Sequence, residues 1–474
     1  MSTTSRVLGF SLFLSFAIGL QSSALGSDAN TRVATPKNVI LIIGDGMGDH
    51  QITIARNYLV GARGRMSLDK LPHRGAVQVL TVDDAQPDRP VYVADSANSA
   101  TAIATGVVTS RGRISTTAGT DQDLPTIIEI ASKLGVSTGI VSTASVTDAT
   151  PAAFYAHTNQ RSCENPSMMK DALIYDRVAV DCSQDLIRNG GLGSIAEQLL
   201  SSDLDLVFGG GLEHFSMPGE GSNEILLDQA ALAGFEVLKS KKQLQTLPQG
   251  KKLLGLFAPK HLPVTLRGEE GRSAELPEPS VMNQIHWTQG EVSLPTVMRC
   301  EVEPSFAEAP SLKLMTEAAL THLSAQAEKG FFLMVESASI DKQSHQRNAC
   351  GSIGEVQQLN EALDSALAFA EAHSNTLILV TADHGQAAQL VPNQSLFKDF
   401  NLPIYTPGKL SRIITSDNAV MAINYATNEF VLEEHTGVNV PVFSNEEGAD
   451  ILPSMLAQPD LYGIITDYLG IAHQ

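Results

Sequence analysis

Basic residues are scarce in this chain. Against 52 aspartates and glutamates stand only 32 lysines and arginines, a formal net charge of −20. A surface of that sign repels nucleic acid and anionic membrane and favours solubility. An anionic substrate would have to be drawn in by local positive charge. Aromatic residues make up 5% of the chain and tryptophan occurs once, at Trp287, with no pattern that would stack nucleic acid bases. The four cysteines contain no close Cys-x-x-Cys pair, which argues against a zinc–thiolate site. Gly209-Gly210-Gly211 follows a strand but lacks the Lys and Ser/Thr of a phosphate loop, and reads as a turn. No Gly-x-Ser-x-Gly elbow surrounds the candidate nucleophile, so an ordinary Ser-His-Asp esterase is disfavoured. Internal repeats and low-complexity tracts are absent.

One long apolar run is present, from Val7 to Leu20, preceded by Arg6 and followed by Ala24-Leu25-Gly26. That is the pattern of a secretory signal peptide, with cleavage expected after Gly26. No other stretch is long and apolar enough to span a bilayer. In an exported protein four cysteines read as two disulfides, with three possible pairings. Sequential pairing, Cys163–Cys182 and Cys300–Cys350, closes the shorter loops and would contribute about 3 and 4 kcal/mol on a chain-entropy model.

Beyond the leader, buried β-type runs alternate with helical stretches. Asn38–Gly44, Gly139–Thr143, Leu204–Phe208, Gly330–Val335 and Asn375–Thr381 read as strands. Leu124–Leu134, Ser194–Leu200, Ser311–Lys329 and Gly354–Ala372 read as helices, with another starting near Gln51. Such alternation predicts an α/β fold, a mostly parallel sheet with helices on both faces and sites beyond the carboxyl ends of the strands. Residues 218–304 are rich in charge and proline and read as a loop-rich insertion in a single domain spanning 27–474.

Chemistry gathers where strands end. Asp45 follows the first strand, Glu336 follows Phe331–Val335, and Asp383-His384 follow Thr376–Thr381. A carboxylate ending a buried strand is costly unless paired, hydrogen-bonded or metal-bound. One such aspartate fits a helix cap; three strand ends doing the same thing point to metal. Asp341 and His345, four apart, share a helical face, and Glu336 lies five residues earlier. His435 is a further candidate that counts only in company. His and Asp suit zinc, and all-oxygen sets suit magnesium. The small-residue run Asp95-Ser96-Ala97-Asn98-Ser99-Ala100-Thr101-Ala102 reads as the start of a tightly packed helix, where free N–H groups favour an anion. In that run Asp95-Ser96 fits either a cap or a nucleophile.

Taken together, Gly44-Asp45-Gly46-Met47-Gly48, Asp95 to Ala102, Thr147-Asp148-Ala149-Thr150-Pro151-Ala152-Ala153, Glu336 to His345, Thr381-Ala382-Asp383-His384 and Glu434-His435-Thr436-Gly437 resemble, in order, the motifs of bacterial alkaline phosphatases. The resemblance runs from about Lys37 to near the C-terminus, the cysteine layout included. It implies a three-layer sandwich and a secreted, periplasmic, homodimeric enzyme. It also implies hydrolysis of small phosphate monoesters through a phosphoserine, with two Zn²⁺ and one Mg²⁺ per subunit. On this resemblance Ser96 is the nucleophile and Arg161 the phosphate-binding guanidinium. Asp341, His345 and His435 are ligands of one zinc, and Asp45, Asp383 and His384 of the other. Asp45, Thr150 and Glu336 form the magnesium set, while Asp148 and Lys342 act through water bound to metal or phosphate. Ser344 and Gln386 stand where close bacterial relatives often carry Asp and His, which bears on metal affinity and pH optimum. A sulfatase would need a Cys/Ser-x-Pro-x-Arg segment, absent at Ser96, and a phosphodiesterase would be told apart by comparing mono- and diester rates. A binding protein without catalysis would not need the nucleophile, the arginine and every ligand together.

Overall fold

A computed structural model of the chain describes residues 36–174, 178–395 and 397–471; the expected signal peptide lies outside them. Ten strands form one sheet: β1 (Asn38–Gly44), β2 (His73–Gln78), β3 (Ser137–Ser145), β4 (Leu206–Gly210), β5 (Phe235–Leu238), β6 (Lys252–Leu256), β7 (Phe331–Ser337), β8 (Thr376–Ala382), β9 (Val440–Ser444) and β10 (Met455–Ala457). Their order is β10-β2-β9-β8-β1-β7-β3-β4-β6-β5. Every pairing is parallel except those of β9, which runs antiparallel to both β8 and β2.

The central strands are apolar because they have no solvent side. All seven residues of β1, β7 and β8 are buried. Such continuous Val/Ile/Leu runs are what a parallel sheet covered on both faces demands. Helices supply the cover: α1 (Asp49–Leu59), α2 (Ser96–Thr105), α3 (Ala149–Ala152), α4 (Leu312–Gln326), α5 (Ser339–His345), α6 (Ala349–Ala372) and α7 (Asp460–Leu469). The α4–α6 pair packs across β1, β7 and β3, while α7 lies on β1 together with α2. This is the three-layer α/β sandwich expected from the alternation of elements.

Differences from the sequence reading sit at the sheet edges. Within 218–304, residues of β5 and β6 extend the sheet parallel to β4, so that stretch is not loop throughout. Both strands are short, and β5 has exposed positions, so neither shows the long apolar run that marks a central strand. The Gly209–Gly211 run is only partly a turn. Gly209 and Gly210 end β4, and Gly211 (φ +95°) makes the bend. A Cβ on Gly210 would sit 1.8 Å from the Lys260 carbonyl oxygen, so close strand packing there requires glycine.

Two disulfides, Cys163–Cys182 and Cys300–Cys350, close loops of 19 and 50 residues. The second ties the end of the 218–304 region to the first turn of α6, directly after α5. Replacing each pair by serine is expected to lower stability by about 3 and about 4 kcal/mol respectively, read from the denaturant midpoints of the two double variants.

Candidate active site

The site lies at the carboxyl ends of three adjacent strands. In β8, β1 and β7 the registers Gly44↔Ala382 and Gly44↔Ser337 align the strand ends, so Asp45, Asp383 and Glu336 arrive side by side. The Asp45 N–H donates to the Ser337 carbonyl and the Gly46 N–H to Asp383 Oδ1. Gly46 turns with φ +67°, and a Cβ there would press within 3.1 Å of both Asp341 and Gln386, so the chain can pass between these groups only as glycine.

Ser96 is the first residue of α2. Asp95 is its cap, accepting from the Asn98 N–H while the Asn98 side chain accepts from the Asp95 N–H. The cap and nucleophile readings of this pair are therefore compatible. All ten residues of α2 are buried, which small side chains alone permit. Ser96 Oγ ends 3.1 Å from His384 Nε2. That same nitrogen lies 3.3 Å from Asp45 Oδ1 and 3.5 Å from Asp383 Oδ2. In a Ser-His-Asp triad the carboxylate would sit on Nδ1. Here Nδ1 faces the Gly385 carbonyl, and both carboxylates share the Nε2 side with the hydroxyl. That arrangement suits a cation better than a proton relay.

A second convergence lies beside the first. His345 Nε2 is 3.2 Å from Asp341 Oδ2, His435 Nε2 is 3.3 Å from Asp341 Oδ1, and the two Nε2 atoms are 3.0 Å apart. Each Nδ1 faces a backbone carbonyl, Glu433 for His345 and Ala94 for His435. A carbonyl only accepts, so each Nδ1 carries a proton, and this orientation turns the two Nε2 atoms toward each other and toward Asp341. Two lone pairs at that distance repel unless a proton or metal ion lies between them. Asp341, His384 and His435 form one group able to hold an ion, and Asp45, Asp383 and His384 another.

Unpartnered atoms extend the pattern. Asp45 Oδ1, Asp383 Oδ2 and Thr150 Oγ1 are buried without hydrogen-bond partners, a costly state unless a cation satisfies them. Glu336, fully buried in β7, accepts from Ser142 on β3. Burial pushes Asp45 well above the usual carboxylate range, with repulsion from Asp383 and Asp341 adding to it. Burial lifts Asp383 to about 6 and Glu336 to about 8. It also drives His384 down to about 3, which keeps that ring neutral and free to ligate. The donor sets fit metal, with mixed His and Asp at two points.

Positive charge stands across the same cavity. The Arg161 fork reaches Asp148 at 3.0 Å and Asp95 at 3.5 Å, and Lys342 on α5 donates to Asp148 at 2.6 Å. Burial opposes ionisation of Asp148, yet Lys342 and Arg161 hold its carboxyl well below the usual range. Lys342 is in turn raised above its ordinary value against its own burial, chiefly by Asp148. Asp148 is thus a fixed anion that aims two cations into one cavity with Ser96.

The two departures are placed differently. Gln386 donates to Asp341 Oδ1 at 2.6 Å, on the oxygen that faces His435. Ser344 turns back to the Ile340 carbonyl within α5.

One device escaped sequence reasoning. Arg347, buried, donates to Glu433 and to the carbonyls of Asn428, Phe430 and Val431. Glu433 is fully buried, accepts from Thr427, and its N–H donates to the His345 carbonyl. The ion pair clamps the strap 427–433, which orients His345 and leads into His435. Each partner stands two residues from a candidate histidine, His345 or His435, the one signal the sequence carried.

Two predictions follow from these charges. Raised carboxyl pKa values, with Glu336 at about 8, mean that the metal-free fold binds more protons than the unfolded chain between about pH 6.5 and 8, above the range in which the lowered His384 offsets them. Chelated protein should therefore lose thermal stability as pH rises through that window, and zinc with magnesium should reverse the slope. Below about pH 4 the depressed Asp148 and Asp341 reverse the sign, and stability should fall as they protonate. A Tm-against-pH series with and without metal reads both limbs. For the clamp, Arg347→Met strands a buried carboxylate and should cost about 3–5 kcal/mol. It should also weaken zinc binding about 10–100-fold in competition with a chelator.

Similarity to known proteins follows the same geometry. Residues 36–455 match the family model described as alkaline phosphatase. The chain is 39% identical to streptomycin-6-phosphate phosphatase of Streptomyces griseus, covering 92% of this chain and 91% of that protein. It is 38% identical to the alkaline phosphatase of Escherichia coli, covering 96% and 90%. Among solved structures, the alkaline phosphatase of the Antarctic bacterium TAB5 shares the fold with a TM-score of 0.65 at 23% identity, over 93% of this chain and all of that one. This chain belongs to the alkaline phosphatase family.

Proposed function

We propose that Ser96 is the phosphate-accepting nucleophile and Arg161 the phosphate clamp of this metal-dependent alkaline phosphatase, which hydrolyses phosphate monoesters through a phosphoserine. The observation that carries this reading is the meeting of Ser96 Oγ with Asp45 and Asp383 around one nitrogen of His384. Asp341, His345 and His435 would hold one zinc, Asp45, Asp383 and His384 a second, and Asp45, Thr150 and Glu336 a magnesium. The stoichiometry is then two Zn²⁺ and one Mg²⁺ per subunit. When bound, these ions supply the positive charge that favours an ionised serine and stabilises the oxygens of an in-line displacement.

The chain's own groups do the rest. Ser96, held at the start of α2, attacks phosphorus as the ester bond breaks; the serine proton is lost to solvent, and the leaving oxygen keeps the bonding pair, takes a proton from solvent and departs as the alcohol. The bidentate Arg161 fork matches two phosphoryl oxygens and keeps the group in line. Asp148 holds Arg161 and Lys342 in place, so their charge is present before substrate arrives and needs no reorganisation during the step. Water then cleaves the phosphoserine and restores Ser96.

The N-terminal pattern supports export to the periplasm, with residues 1–26 removed and one domain left, carrying the 218–304 region as its insertion. The family supports a homodimer.

The test is hydrolysis of a chromogenic phosphate monoester by metal-loaded protein. Ser96→Ala should lower kcat by about 10³-fold or more. Arg161→Ala should lower kcat/KM by about 10–100-fold, the loss of a charge-assisted pair of hydrogen bonds. Undiminished turnover in Ser96→Ala would remove the nucleophile assignment.

A further inference from the structure

We propose that Phe430 and Leu432 form a subsite for the organic group of the substrate, giving this enzyme a preference for apolar, aryl-sized leaving groups. The inference rests on the reading of Ser96 and Arg161 as the phosphate seat. Both apolar residues line the same cavity of about 590 Å³ as Ser96, Arg161 and His435. Phe430 is 60% exposed, a large aromatic face beside a site otherwise built from charge.

The exposure is enforced. Arg347 takes the carbonyls of Asn428, Phe430 and Val431 from the buried side. Turning the apolar side chains inward would break these charge-assisted bonds and unpair Glu433. The strap therefore keeps its ring in solvent, where it gains nothing in the free protein.

A phosphate monoester has one organic substituent. With phosphate against Ser96 and Arg161, that substituent takes up the rest of the cavity, whose lining includes Phe430, Leu432, Arg111 and Gln160. Covering a clamped aromatic face costs little conformational entropy, because the strap is already ordered. Ring-on-ring contact adds a further gain.

The experiment compares benzyl phosphate with ethyl phosphate, whose leaving alcohols have similar acidity, on metal-loaded wild type and Phe430→Ser. Inhibition by benzylphosphonate and ethylphosphonate reports binding without chemistry. Wild type should favour the benzyl member by about fivefold in kcat/KM and in inhibition constant. In Phe430→Ser both ratios should fall toward one, and Phe430→Trp should restore the preference. Parity in wild type, or a ratio unchanged in Phe430→Ser, would overturn the subsite. So would a Phe430→Ser variant that changes only the sedimentation of the protein, because the ring would then be an interface residue. Wild-type turnover in Ser96→Ala would instead overturn the phosphate seat beneath it.

Discussion

Everything at this site depends on like charge and lone pairs gathered inside a protein. Asp45, Asp341, Asp383 and Glu336 are buried together, and His345 and His435 turn their Nε2 atoms toward each other. In a low-dielectric interior such a cluster repels itself unless protons or cations occupy the space between its members. The fold holds it anyway, because the groups are fixed to strand ends whose registers are set by the apolar core. Rigid placement without internal compensation makes a strong cation site, and the same strain leaves metal-free protein sensitive to pH.

Around that cluster the chain keeps positive and negative charge apart. Asp148 collects Arg161 and Lys342, while Asp45, Asp341 and Asp383 gather around His384 and His435. In the proposed mechanism a dianionic phosphate placed between them would meet the guanidinium fork and the bound cations at once. The Arg347–Glu433 pair serves a different purpose. It reaches neither substrate nor ligand atoms, yet it fixes the strap whose carbonyl sets the His345 tautomer and whose end carries His435.

Much of this was legible in the sequence, for identifiable reasons. Central strands such as Asn38–Gly44 announce themselves because both faces are buried, and their last residues mark the site because parallel sheets place sites there. The Asp341 and His345 spacing alone fitted an ordinary surface pair on a helix, and it gained meaning only with Glu336 five residues earlier. Edge strands such as Phe235–Leu238 were not, since half-exposed short strands resemble loop. Nor was Arg347–Glu433 legible, because its partners lie 86 residues apart and only the fold brings them together. Ser96 falls between: its segment alone read first as a cap, and the structure shows Asp95 capping the helix that begins with Ser96.

The most direct test of the account is to trap the covalent intermediate. Metal-loaded enzyme is mixed with inorganic phosphate or a monoester, quenched in acid, digested and analysed by mass spectrometry. The account predicts one phosphoryl group on the peptide that contains Ser96, located at that residue by fragmentation and absent from Ser96→Ala. A phosphoryl group on another residue, or turnover with no phosphorylated peptide under conditions that preserve phosphoserine, would contradict it.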